Sequence, residues 1–436
     1  MPGRWSVDQV LALASDMASA TAERALGNPL RWRDAGASGD LLWGLCAGSG
    51  ATPYQVVVDV SGPAYRCTCP SRKFPCKHAL GLLLGWSAGT VPDAAEPADY
   101  AAEWKEGRES RLAAAPRKPR GERDEAAAAK RAQQRTDRVG AGLAELEIWL
   151  RDQVRGGLSV AAGTYAHADP VAARMVDAQA PGVAGLLRRL STVPASGDGW
   201  PHRLLAGYGR VHLLARAHAQ LDSLPSALAA TVRTHVGYTV TRAEVLADPA
   251  VADDWLVLAV RDLTDGAVPA RRTWLRGATS GRYALVLVFD PQGDFGGNED
   301  AWFVPGTTVS AEVHYYPGRA AARVVIGARH GEPAPAPPPE ATLDVAGQLA
   351  EWAAVVELDP WLGEWPAVLR GVPVRDGDKW RFVDQTGASV PVLLGGVDPW
   401  VLVAVAGGSP TVTAGEFTAD GFRPLTVWHG DEAIRL

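Results

Sequence analysis

Cys67, Cys69, Cys76 and His78 stand within twelve residues as Cys-x-Cys-x6-Cys-x-His. Three thiols and one imidazole at this spacing suit a single tetrahedral zinc ion, which in structural sites takes four nitrogen or sulfur ligands. Only Cys46 of the four cysteines falls outside the window. The competing readings are chance clustering, or two free thiols plus a disulfide in a secreted domain. The first sixteen residues are amphipathic and carry no signal peptide, so the chain reads as cytoplasmic, with reduced thiols free to take up metal. A hydrolytic zinc would keep one position open and want a carboxylate base nearby. Here four ligands fill the shell, and no acid occurs between Asp59 and Asp93.

The flanking residues supply elements that can hold these ligands. Ser6 and Gln9 resemble a capping box, and Val10, Leu13 and Met17 follow at helical spacing. Strand-like runs cover Leu41–Ala47, Tyr54–Val60 and Ala64–Cys69, and Ala79, Leu80, Leu83, Leu84 and Trp86 predict an amphipathic helix from Lys77 to about Gly89. Alternation along a strand puts Cys67 and Cys69 on one face. Cys76 and His78 flank the first turn of the helix, whose positive end favours thiolates. Pro70 and Pro75 stiffen the loop between them.

Around the ligands, Arg66, Arg72, Lys73 and Lys77 form a basic group with no acid interleaved. Two readings stand side by side. The cations can contact phosphate, with Phe74 stacking on a base. They can equally compensate a three-thiolate zinc site, which carries net negative charge.

The Cys-x-Cys…Cys-x-His pattern, preceded by strands and followed by an apolar helix, resembles the SWIM zinc finger, matching at Cys67, Cys69, Cys76 and His78. The likeness spans roughly residues 40 to 90 and implies binding of DNA or protein rather than catalysis. In layout the chain also resembles bacterial SWIM-containing proteins often encoded near MoxR-type AAA ATPases and von Willebrand A domain proteins. That second likeness implies an AAA ATPase or a von Willebrand A domain protein as partner.

The rest of the chain divides by composition into an α+β multidomain protein. We expect a ββα-type zinc-binding module over 1–92 (motif 64–86), a charged helical tether over 93–138 and a helical domain over 139–235. A β-rich domain over 236–331, a proline-rich linker over 332–340 and a C-terminal α+β domain over 341–436 follow. Between Ala101 and Arg138 eleven basic residues are interspersed with seven acidic ones, as on a solvated helix. Val139, Leu143, Leu146 and Leu150 mark the inner face of a helix, and Pro170, Pro181, His202 and Pro225 lie near further helix starts. His202, His212, His218 and His235 have no ligand-like spacing and read as ordinary surface or core histidines.

Downstream, runs at Trp255–Asp262, Arg271–Arg276, Arg282–Asp290, Val309–Tyr316 and Ala321–Ile326 read as a small sheet or barrel. After the prolines, Asp344 caps a helix through Val345, Leu349, Trp352 and Val356. Short strands are expected at Trp380–Asp384, Val390–Leu394, Trp400–Ala406 and Leu425–His429. The sixteen tryptophans are scattered and read mainly as core anchors.

No P-loop, His-Glu-x-x-His or Gly-x-Ser-x-Gly occurs. Asp294-Phe295-Gly296 lacks the companion motifs of a kinase and reads as a turn, as does Asp376-Gly377-Asp378. A net charge of −6 argues against polyanion binding by bulk charge. The expectation is a noncatalytic zinc-binding adaptor or accessory protein that holds one structural Zn2+ and contacts a protein or nucleic acid, with no membrane span. The alternatives are a DNA-binding regulator, or an enzyme with an unrecognised site within residues 139–436.

Overall fold

A computed structural model describes residues 10, 28–47, 52–60, 64–69, 75–112, 122–162, 167–263, 268–290, 295 and 302–436. The helix expected from Ser6 lies outside these residues, Val10 apart.

The metal motif grows out of a four-stranded antiparallel meander, β1 (Trp32–Ser38), β2 (Leu41–Cys46), β3 (Tyr54–Asp59) and β4 (Ala64–Cys67), arranged in chain order. Its period-two pattern divides two apolar faces. Leu42, Cys46, Val56, Val58 and Tyr65 meet helix α1 (Lys77–Ser87). Leu41, Trp43 and Val57 meet Ala101, Tyr100 and Trp104 of helix α2 (Asp99–Leu112). The first turns of the segment expected as a charged tether therefore lie on the sheet, because Tyr100, Ala101 and Trp104 form an apolar stripe at helical spacing. Strand β1, with the sequence WRDAGAS, has no apolar alternation and was not legible as a strand. Gly36 within it lets the Trp43 ring approach, since a Cβ there would sit 2.4 Å from that ring.

Helix α3 runs unbroken over Glu122–Gly156. From Lys130 to Arg138 it is largely exposed, and its burial begins at Val139 and continues through Leu143, Leu146 and Leu150, the stripe read from the sequence. It packs with α4 (Asp169–Asp177), α5 (Pro181–Leu190), α6 (Trp200–His218) and α7 (Ser226–Val236) around Met175, Val183, Leu187, Leu204, Val211 and Val232. Prolines at the first helical positions start α4 and α5, where a missing N–H costs nothing.

Strands β5 (Val251–Leu263), β6 (Ala270–Gly277), β7 (Tyr283–Phe289), β8 (Thr307–Tyr315) and β9 (Arg323–Pro335) close into a barrel in the order β5-β6-β7-β9-β8. Trp255, Val257, Val286, Val309, Val313 and Ile326 fill it. Helix α8 (Val345–Leu358), capped by Asp344 through the Gly347 amide, then leads to a six-stranded antiparallel sheet. That sheet comprises β10 (Glu364–Asp376), β11 (Lys379–Asp384), β12 (Ser389–Pro391), β13 (Thr411–Thr418), β14 (Gly421–His429) and β15 (Glu432–Arg435). Gly377, at φ 61°, makes the turn between β10 and β11.

Two expectations are corrected here. Residues Trp400–Ala406, expected as a strand, lie in helix α9 (Pro399–Ala406). Periodicity cannot type so short an apolar run, and the caps decide: the Asp398 side chain accepts from the Trp400 amide, Pro399 opens the helix, and Gly407 ends it in the left-handed region. The proline-rich stretch does not hold two units apart. Ala334 and Pro335 still pair with Thr308 and Thr307 as the end of β9, and the Ala336 amide bonds to the Gly306 carbonyl.

The barrel and the C-terminal sheet share one core, in which Leu258 and Trp274 meet Trp365, Val368, Val412, Leu425 and Trp428. Within it Glu416, fully buried, accepts from Trp274 Nε1 at 3.0 Å, Arg261 at 2.7 Å and Arg423 at 3.0 Å. Three donors make a buried carboxylate tolerable. Burial alone would raise its pKa, but the Arg272 and Arg261 charges and the indole hydrogen bond hold it below the usual carboxylate range.

Candidate metal centre

Strand and helix converge on the motif. Cys67 is the last residue of β4, Cys69 follows two positions later, Cys76 is the N-cap of α1 and His78 lies in that helix's first turn. The N-cap residue is extended (φ −73°, ψ 161°) and makes no side-chain capping bond, so its sulfur is available as a ligand. The ligand atoms of Cys67, Cys69, Cys76 and His78 all lie within 4.8 Å of one another. His78 Nδ1 is 3.9 Å from both Cys67 Sγ and Cys76 Sγ, which identifies Nδ1 as the nitrogen facing the thiols. A tetrahedral zinc with bonds of about 2.3 Å to sulfur and about 2.0 Å to nitrogen requires a sulfur–nitrogen spacing of roughly 3.6 Å. These two sulfur–nitrogen pairs need to close by only a few tenths of an ångström.

Burial and electrostatics agree with a metal. Cys76 and His78 are buried, Cys67 and Cys69 half-buried, and the Tyr54 ring packs 5.1 Å from the imidazole, fixing its plane. Hydrogen bonding with Cys69 and Cys76, then burial, pushes the Cys67 thiol far above its ordinary value. For Cys76 the hydrogen bond from Cys67 favours the thiolate, but Cys69 and burial outweigh it, and the thiol is pushed up to about 11. Three crowded sulfurs resist ionising beside one another, and a divalent cation removes that repulsion. Among the described residues no carboxylate belongs to the group. The fourth cysteine, Cys46, is buried in the same core but stands outside the four-ligand set.

Of the cations expected around the site, Arg66 on β4 and Lys77 at the start of α1 are both exposed. Arg72 and Lys73, with Pro70 and Phe74, lie outside the described residues. Three of the four histidines read as non-ligands find other partners. His235 Nε2 is 2.8 Å from Asp359 Oδ2, His212 Nδ1 is 3.1 Å from a Glu147 oxygen, and His218 is 2.9 Å from the Tyr238 hydroxyl. Phe295 has φ 51°, is buried, and donates its amide to Asp290; Asp294 and Gly296 lie outside the described residues.

Contacts absent from any local motif also reach this site. Tyr65, two residues before Cys67, packs edge-on against Trp302 from the barrel, with ring centroids 4.4 Å apart. A conspicuous tryptophan after the β7 strand was the one available signal, and nothing in the sequence named its partner.

No helix among the described residues is long and apolar enough to cross a membrane. Residues 54–84 match the family model of the SWIM zinc finger, and residues 134–236 match that of the SWIM-associated four-helix bundle domain. No curated protein and no solved structure matched the chain significantly. The second match falls on α3 through α7, so the helical region that the sequence left without a role is a companion of the zinc finger. The chain thus carries a SWIM zinc finger, with Cys67, Cys69, Cys76 and His78 positioned to bind one zinc ion, joined to a SWIM-associated four-helix bundle domain.

Proposed function

We propose that this chain is a noncatalytic zinc-binding adaptor or accessory protein whose SWIM finger engages a macromolecular partner. The observation that carries the reading is the closed ligand set: four nitrogen and sulfur donors converge on one point, leaving zinc no position for a reacting water. Its role is then to hold β4 and α1 in fixed relation, so that the residues outside the ligand shell form a surface. A protein partner suits the negative net charge of the chain better than a polyanion does. By the resemblance of layout, an AAA ATPase or a von Willebrand A domain protein is the partner to test first.

DNA binding is the second reading, favoured by the exposure of Arg66 and Lys77 on the two elements that supply the ligands. Affinity capture with the zinc-loaded chain, compared with a Cys76→Ser variant, tests both. A protein captured by the wild type alone supports the adaptor. Binding to duplex DNA that falls steeply with salt, and further with Arg66→Glu plus Lys77→Glu, supports the nucleic-acid reading.

A further inference from the structure

The zinc module and the barrel are joined at one apolar contact that starts at the ligands themselves. Strand β4 is four residues long and lies at the edge of its sheet, paired on one side with β3: Ala64 opposite Asp59, Tyr65 opposite Val58, Arg66 opposite Val57, Cys67 opposite Val56. The pleat puts Tyr65 and Cys67 on the same face, one turning inward under the barrel and the other toward the metal. Tyr65 is 1% exposed and Trp302 4% exposed.

Trp302 does not pack with the barrel's own interior. It belongs to the core of the zinc module, together with Leu80, Leu83 and Cys76, and Val304 packs against the same core. Val10, Val91 and Trp302 join the sheet residues in this core, and α1 is buried from His78 to Trp86 rather than along one stripe. On the barrel side, Arg271 holds the approach, with its guanidinium over the Phe295 ring at 4.7 Å and over Trp302 at 5.8 Å.

We infer that zinc occupancy governs this docking: the metal ties the end of β4 to the start of α1, and so holds open the slot that receives Trp302. On the β3 side the end of β4 is held beyond its ladder by the Thr68 amide to the Gln55 carbonyl at 3.1 Å and the Gln55 amide to Thr68 Oγ1 at 3.0 Å, whereas toward α1 the tie is the ligand set itself. Without the ion, Cys67 and Cys69 are no longer tied to Cys76 and His78, and Tyr65 and Leu80 lose the fixed spacing that the indole needs. The partner of the module's inner face is thus the barrel of the same chain. Linkage requires the converse too: if zinc strengthens docking, docking strengthens zinc binding by the same factor.

Hydroxyl-radical footprinting of the full chain, read by mass spectrometry at individual tryptophans, tests this directly. Trp302 should be protected with zinc bound and gain several-fold in labelling when a chelator removes it. Trp255, inside the barrel at 0% exposure, should stay protected and so report an intact barrel. Trp302 labelling that stays unchanged after zinc is shown to be removed would overturn the inference. The reciprocal arm measures zinc affinity by chelator competition in Trp302→Ala. We expect a weakening of roughly five- to tenfold, within the usual range for coupled sites. An affinity equal to that of the wild type, with Trp255 still protected, would equally overturn it.

Discussion

The carboxylate of Glu416 and the indole of Trp274 meet at 3.0 Å although 142 positions separate them in the chain. One comes from the C-terminal sheet and the other from the barrel, so the bond ties two units that the proline-rich stretch had suggested were independent. Arg272, Arg261 and Arg423 gather on the same carboxylate, and Glu364 joins them through Arg272 and Arg261.

Glu416→Ala leaves these cations only the half-buried Glu364 as partner, and breaking such a group costs about 3–5 kcal/mol. Urea denaturation should show that loss as one shifted transition for barrel and sheet together. Two separate transitions in the wild type would contradict the shared core.

This network and a second one around Asp262 set an acid limit. Burial opposes ionisation of Asp262, but its hydrogen bond and charge pairing with Arg271, and the Arg435 charge, hold it below the usual range; Glu416 is held low for the reasons given above. Groups with depressed folded values stabilise the fold above their unfolded values of about 4 and lose that contribution as pH falls toward the folded ones. Stability should therefore be level above about pH 5 and fall below it. Glu416→Gln should flatten part of that slope, and an unaltered slope would remove Glu416 from the explanation.

Trp361 joins the helical bundle to the C-terminal unit. Its ring is buried in the bundle core, Nε1 donates to the Arg210 carbonyl at 2.9 Å, and Asp359 beside it reaches His235. Trp361→Ala should cost about 3–5 kcal/mol by leaving a cavity, and Trp361→Phe about 1 kcal/mol plus some packing. Thermal unfolding with both variants gives the ordering. Equal losses would show that the ring volume contributes nothing.

Much of this arrangement was legible from local pattern. Cys67, Cys69, Cys76 and His78 declared themselves because metal ligands need specific donors at short spacing. The stripe from Val139 to Leu150 did so because a core-facing helix repeats every three to four residues. The five barrel strands likewise carried dense β-branched runs bounded by glycine and proline. What stayed hidden depended on distant pairings. Strand β1 is held by its register with β2 rather than by its own pattern, and α9 is decided by Asp398 and Gly407 rather than by its apolar run. Tyr65 with Trp302, His235 with Asp359 and Glu416 with its arginines are contacts between residues far apart in the chain, which no local spacing encodes.

Zinc uptake should release protons, since burial and mutual crowding keep the metal-free thiols of Cys67 and Cys76 protonated at neutral pH. Apparent affinity measured by chelator competition should rise between pH 6 and pH 8. An affinity independent of pH would mean that thiolates already stand in the metal-free chain.

The central claim is that Cys67, Cys69, Cys76 and His78 hold one structural zinc ion, and metal analysis of the purified full-length chain tests it most directly. We predict about one zinc per chain, falling sharply in Cys76→Ser while circular dichroism shows the helical bundle retained. Zinc content that is negligible in the wild type, or unchanged in Cys76→Ser, would contradict it.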